Sequence, residues 1–199
     1  MADDRTQVQD FFSARAADWD SRFPDDGPAF AVAVRELGLR PGGAVLDAGC
    51  GTGRALAALR TAVGPGGTVL GADLTPAMLD AARRAGRAAS GALLLADAAR
   101  LPLGAGSLDA VFAAGLISHL RHPGQGLSEL ARVVRPGGRL ALFHPIGRAA
   151  LAARHGRVLS DDDLRAEPRL TPLLADAGWQ LDAYTDEDSR FLALAVRAG

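Results

Sequence analysis

AVLDAGCGTGRAL, residues 44–56, sets an apolar strand, a glycine-rich turn and the start of a helix in immediate succession. Glycine lets the backbone approach a ligand closely, and the first amides of a helix are unpaired donors, so this order is that of a nucleotide-type cofactor site. Spacing bears on which cofactor. A dinucleotide fingerprint needs glycine at the first, third and sixth positions. Counting from Gly49, the glycines are Gly49, Gly51 and Gly53, and the sixth residue is Arg54. Taken alone, the triplet reads equally as a tight strand-to-helix turn.

Working outward, apolar runs of strand length at 44–48, 68–72, 92–96, 108–114 and 139–143 alternate with helical patterns near 54–63, 76–86 and 124–134. That alternation predicts stacked βαβ units and a mostly parallel sheet. Thr75 before Pro76 is a helix start with a side-chain cap. Upstream, Val8, Phe11, Phe12, Ala16 and Trp19 fall at helical spacing, which predicts an amphipathic helix ending before Pro24 and a second helix from Pro28 to the turn at Pro41. Downstream of His144 and Pro145 comes an Arg-bearing helical segment, then a helix over 169–177 stopped by Gly178. The last two strands, 179–184 and 190–196, are separated only by 185–188. So short a connection cannot cross a sheet, which makes this pair antiparallel.

Composition narrows the function. At 199 residues the chain fits one domain. With 22 basic and 23 acidic residues the net charge is −1, so the basic footprint of a nucleic-acid binder is missing. Every basic residue is Arg, and the lack of Lys and Asn excludes Schiff-base chemistry and a phosphate-loop lysine. Cys50 is the only cysteine, which excludes an intrachain disulfide or a Cys-based zinc site. The start MADDRTQVQD lacks a signal-peptide core, and the apolar tract 101–120 is broken by Asp109, Pro102 and several Gly and Ser. The expectation is a cytoplasmic protein with no membrane segment.

Two acids then give the glycine turn chemical company. Asp73 ends the second strand in VLGAD, where a carboxylate can accept from both hydroxyls of a ribose lying across the sheet's switch point. Asp97 ends the third strand in LLLAD, in reach of an adenine amino group. Either acid alone also reads as a turn residue or helix cap.

With these residues in place the sequence resembles the class I S-adenosylmethionine-dependent methyltransferases. The match runs over about 41–143, with a weaker tail to 196, through the blocks VLDAGCGTG, GADLTPAML, LADAARLPLGAGSLDAVFAAGLISHL and ELARVVRPGGRLALF. It looks most like the small-molecule subgroup that contains quinone-biosynthesis methyltransferases. The resemblance implies an α/β fold: a Rossmann-like seven-stranded sheet in the order 3-2-1-4-5-7-6 with an antiparallel last strand and helices on both faces. It implies S-adenosylmethionine as cofactor and S-adenosylhomocysteine as product. Asp47, Gly49, Gly51 and Gly53 then correspond to the loop around the methionine part. Asp73, with Leu74 beside it, corresponds to the ribose ligand, Asp97 and Ala98 to the adenine contacts, and Gly115 to backbone beside the methionine moiety.

The chain then divides into a helical lid (1–40), a cofactor-binding core (41–144), and a substrate-side segment with the terminal hairpin (145–199). The expected reaction is methyl transfer to an O, N or C atom of a small-molecule acceptor. Its rivals are a non-catalytic binder of S-adenosylmethionine or S-adenosylhomocysteine and an NAD(P)-dependent oxidoreductase. Asn-Pro-Pro and Pro-Cys motifs are absent, which sets aside amino-methylating and pyrimidine C5 subclasses.

Alignment in a dry pocket is the main work of such a site, and a general base helps where the acceptor is a hydroxyl or an acidic carbon. His119, after the fourth strand, and His144, at the end of the fifth, are the candidates; the first alternatively pins its loop and the second merely ends its strand. His122 reads as the cap of the helix at Pro123. Five of the ten aromatics, Phe11, Phe12, Trp19, Phe23 and Phe30, lie in the first thirty residues, as a lid or as flank packing. Arg148, Arg154, Arg157 and Arg165 are placed to meet an anionic acceptor, or simply to solvate the surface. Asp109 reads as a structural acid, Cys50 as an inert buried thiol, and Arg83, Arg84 and Arg87 as a solvated helix face. Asp161, Asp162 and Asp163 read as a helix N-terminus rather than a metal site. Monomer and homodimer both remain open.

Overall fold

The computed structural model describes residues 4–22, 26–160 and 162–199. Seven strands form one sheet: β1 (Ala44–Ala48), β2 (Thr68–Asp73), β3 (Ala92–Leu95), β4 (Leu108–Ala114), β5 (Val134–His144), β6 (Trp179–Glu187) and β7 (Arg190–Arg197). Their order is β3-β2-β1-β4-β5-β7-β6, parallel through β5, with β7 antiparallel to both β5 and β6. The sequence expectation for the sheet holds.

Helices cover both faces. They are α1 (Asp4–Ser13), α2 (Trp19–Arg22), α3 (Gly27–Leu37), α4 (Leu56–Val63), α5 (Pro76–Arg84), α6 (Pro123–Val133), α7 (Arg148–Arg154) and α8 (Glu167–Asp176). Phe30 and Leu37 of α3 with Leu56 and Leu59 of α4 cover one face. Leu127 and Leu130 of α6 with Leu170 and Leu174 of α8 cover the other. Trp179, 2% exposed, joins β6 to α6 by donating its indole N–H to the Leu127 carbonyl at 2.9 Å. Such alternation of covered faces is what right-handed βαβ crossovers produce.

Several local expectations change. The single N-terminal helix is broken at Ala14 into α1, a 3-10 turn at Ala16–Asp18 and α2; Phe23 and Pro24 lie outside the described residues. Strand β5 starts at Val134, not near 139, because Val134 pairs with Leu108 and the intervening residues bulge out. The terminal turn is Asp188 and Ser189 alone, since β6 runs on to Glu187. Thr75 does not cap α5 with its side chain; its hydroxyl turns to Asp73 instead. His122 occupies the N-cap of α6 without a side-chain cap bond. Asp162 and Asp163 precede no helix N-terminus, because α8 begins only at Glu167; they pair with Arg169 and Arg165, and Asp161 lies outside the described residues.

Two readings stand as made. Asp109 accepts from the Ala44 amide at 2.8 Å and pairs with Arg135, tying the start of β1 to β4; these bonds hold its carboxyl below the usual range. Burial pushes the Cys50 thiol up, away from nucleophilic use.

Candidate cofactor and acceptor site

The parallel strands β1 to β4 end along one edge, and every residue assigned above to the cofactor lies there. Asp47 is the fourth residue of β1, and residues 49–53 form the turn into α4. The Cys50 amide donates to the Ala72 carbonyl at 2.9 Å, which lays the turn against β2. Gly71 makes this approach possible, since a Cβ there would meet Cys50 Sγ at 3.1 Å and Leu56 Cδ2 at 3.2 Å. Gly51, at φ +52°, turns the loop so that a Cβ on it would meet nothing within 4 Å. The backbone is thereby bare on that side.

Asp73 closes β2. One carboxylate oxygen accepts from the Gly51 amide and the other from the Thr75 amide, both at 2.8 Å. Burial raises its pKa, and those backbone bonds work against the rise. Asp47 is 2% exposed, and its pKa is pushed up to about 8, first by burial and then by the charge of Asp73. Among the described residues no cation pairs with it. A ligand carrying a positive centre supplies what these two acids lack.

Asp97 follows β3. Its Oδ1 accepts from the Ala99 amide at 2.8 Å, and its Oδ2 pairs with Arg5 of α1. Ala98 beside it is buried. Gly115, just after β4, donates its amide to the Phe143 carbonyl at 2.8 Å.

The N-terminal segment crosses this edge. Gln9 donates to the Leu74 carbonyl at 2.8 Å, and Phe12 meets His119 edge-to-face at 4.9 Å. Asp20 accepts from the Thr52 hydroxyl at 2.7 Å and pairs with Arg87 at 2.8 Å, while Arg87 also donates to the Thr52 carbonyl at 2.7 Å. Arg87 thus leaves the solvated face expected for it. A cleft of about 390 Å³ opens between Arg5 and Gln9 on one side and Leu74, Leu95 and Asp97 on the other. A larger groove, about 480 Å³, lies between α6 and α8, where Glu129 is already occupied by Arg132 and the Leu101 amide.

His119 and His144 come together beyond β4 and β5. His144 is half-buried, with Nδ1 2.8 Å from the Ile146 carbonyl oxygen and 3.1 Å from the Ile146 amide nitrogen. Its pKa is lowered chiefly by burial, with Arg165 and His119 adding to the fall and Ile146 and Asp26 opposing it. His119 keeps a more exposed surface, yet the atoms crowding its ring, and then Arg165, lower its pKa as well. In both, the surroundings favour the neutral imidazole.

The arginines divide. Arg148 donates its amide and Nε to Asp186 at 2.9 and 2.8 Å, so its guanidinium is committed inside the protein. Arg157 reaches His155 at the surface, 2.8 Å away. Arg165 faces the histidines. Sequence reasoning missed its partner Asp163, and also Asp20, Gln9 and Arg5. Only the two-residue spacing of Asp163 and Arg165 offered a signal, because the other contacts join residues far apart in the chain.

Residues 46–142 match the Methyltransferase domain family. An O-methyltransferase of Penicillium expansum is 31% identical over 164 residues, covering 77% of this chain and 59% of that protein. An uncharacterized protein from a Streptomyces fradiae transposon is 40% identical over 116 residues, 58% of this chain and 34% of its own length. The chain spans between about a third and three-fifths of the curated relatives it matches. Among solved structures, the magnesium protoporphyrin IX methyltransferase of Synechocystis with bound S-adenosylmethionine superposes with a TM-score of 0.74 at 21% identity, over 100% of this chain and 99% of that one. A putative methyltransferase of Haloferax volcanii, in complex with its Trm112 activator, gives 0.76 at 21% identity over 94% of this chain and 98% of that one. The glycine turn and the acids Asp47, Asp73 and Asp97 thus lie within the span that is similar to the Methyltransferase domain family, and the chain shares its fold with these two solved structures.

Proposed function

We propose that this chain transfers a methyl group from S-adenosylmethionine to a small-molecule acceptor. The observation that carries the reading is Asp73, whose carboxylate closes β2 and bridges the Gly51 and Thr75 amides over the glycine turn. In this reading Asp73 and Leu74 hold the ribose, and Asp97 and Ala98 hold the adenine. Asp47, the turn Gly49 to Gly53 and Gly115 surround the methionine end. Burial and the Asp73 charge hold a proton on Asp47, and a cationic ligand beside it would favour the proton's release. The segment 1–40 acts as the lid and 145–199 as the acceptor side.

S-adenosylmethionine supplies an electrophilic methyl on a sulfonium. The protein's part is to align the acceptor, exclude water and remove a proton. His144 is the base. With its proton on Nδ1, donated to the Ile146 carbonyl, Nε2 keeps a lone pair for the acceptor. His119, held edge-on by Phe12, shapes the same wall. An anionic acceptor is read by Arg165, which acts on both histidines and whose Nη1 has no acceptor among the described side chains.

Isothermal titration with S-adenosylmethionine, S-adenosylhomocysteine and NAD tests the donor site. Micromolar binding of the first two and none of the third is expected. NAD binding without a response to the sulfonium refutes the reading. Binding of both adenosyl ligands with no turnover of any acceptor favours the non-catalytic alternative.

A further inference from the structure

We propose that Arg165, locked in place by Asp163, makes the acceptor an oxygen acid, such as a phenol or enol hydroxyl, and disfavours amines. This rests on the methyl-transfer reading above and names its acceptor class.

Arg165 lies in the connection between α7 and α8 and is fixed from both sides. Its Nε and Nη2 donate to Asp163 Oδ1 and Oδ2 at 3.1 and 2.8 Å, and its amide donates to Oδ1 at 2.9 Å. Its carbonyl accepts from the Tyr184 hydroxyl at 2.8 Å. The two charged side chains are only 12% and 18% exposed. A guanidinium gripped through two of its nitrogens has one orientation, and no described side chain accepts from the third, Nη1.

Where that cation sits follows from the sheet. The guanidinium carbon is 5.9 Å from the centroid of the Phe191 ring. Phe191 is the antiparallel partner of His144, and directly opposed residues project from the same face with Cβ atoms ~5 Å apart. The cation therefore stands at the wall that presents His144. The charged and titratable groups facing His144 are Arg165, Asp26 and His119, and Asp26 is itself paired with Arg54 at 3.1 Å. Arg165 also acts on His119.

Such a fixed cation distinguishes acceptors by the charge they develop. When a hydroxyl is methylated, its proton passes to His144 and the oxygen becomes negative before its lone pair forms the new O–C bond. The S–C bonding pair returns to sulfur. The products are the methyl ether, S-adenosylhomocysteine and a protonated histidine that releases its proton to water. A nearby guanidinium stabilises the oxygen anion. An amine attacks as a neutral group and becomes positive as its bond forms, so the same guanidinium opposes it.

The test is steady-state kinetics of the full chain with S-adenosylmethionine, on phenols of graded acidity and on arylamines of matching shape. Wild type is expected to methylate phenols at least tenfold faster than amines. Arg165→Gln is expected to lose at least tenfold in kcat/KM on weakly acidic phenols and less on strongly acidic ones, so the dependence on acceptor acidity steepens and the acid limb of the pH profile moves up. Arg165→Lys keeps the shallow dependence, and titration shows cofactor affinity unchanged in both variants. Amine preference in wild type, absence of phenol turnover by a protein that binds cofactor, or an acidity dependence unaltered in Arg165→Gln overturns the proposal and leaves the donor site standing. Failure of wild type to bind cofactor overturns both. The wild-type selectivity needs no variant, so a misfolded Arg165→Gln does not block the test.

Discussion

The cofactor edge and the acceptor wall are built in opposite ways. Along β1 to β3 the working groups are backbone amides and short acids fixed by the strand ends themselves, as when Asp73 bridges Gly51 and Thr75. Beside β5 to β7 they are long or aromatic side chains held by other side chains, as when Arg165 is gripped by Asp163 next to it and by Tyr184 of β6. A site made by turns is set once the strand ends. A site made by side chains depends on tertiary assembly, and single substitutions there act on chemistry rather than on cofactor binding.

Removing the proposed base gives the largest expected effect. His144→Ala lowers kcat by on the order of 10²-fold or more and leaves cofactor affinity within twofold, as separate titration and rate measurements show. A loss of cofactor binding in this variant breaks the division between the halves. Asp73→Ala does the converse. It weakens S-adenosylmethionine binding by at least about tenfold, or ~1.4 kcal/mol, in calorimetry.

A stability prediction comes from Asp47. Its ordinary pKa of 3.8 rises to about 8 in the fold, so the folded chain holds a proton that the unfolded chain has already released. Stability is full below the unfolded pKa and falls as pH rises towards 8, by up to ~1.4 kcal/mol per pH unit. Asp47→Asn removes that dependence. In the cofactor-free protein it is expected to raise Tm at pH 8.5 by several degrees and to leave it nearly unchanged at pH 4, while cofactor affinity drops. Equal Tm shifts at both values count against a protonated Asp47. The smallest effect belongs to Arg5→Ala. Because an exposed ion pair is worth ~0–1 kcal/mol, releasing Asp97 from Arg5 raises cofactor affinity by less than about fivefold.

The same contrast decides what could be read in advance. The seven strand runs and the antiparallel last pair were legible from local signals, strand runs, turn glycines and the short final connection, whereas the full sheet order came only through the family resemblance. The positions of Asp73 and Asp97 were legible for the same reason, each closing or following a strand, whereas Asp47 entered only through the resemblance. Asp163 was misread as part of a helix start, because three successive acids ahead of a helical stretch look like one, although α8 begins only at Glu167 and Arg165 lies two residues on. Arg87 and Asp20 meet across 67 positions, and no spacing rule reaches that far. Nor does any local signal mark Gly71, because it is the fold that lays Cys50 and Leu56 on it.

Strand order also carries a history. All four strand ends on the cofactor edge exist once residue 115 has been synthesised. His144 gains its neighbour Phe191 only 47 residues later than itself, because β7, the last strand made, is inserted between β5 and β6. Until then β5 presents an unpaired edge with apolar neighbours, the kind of surface that recruits other chains. During synthesis the donor half of the sheet thus forms first, and the acceptor half waits as an open seam whose closing strand emerges after the other six.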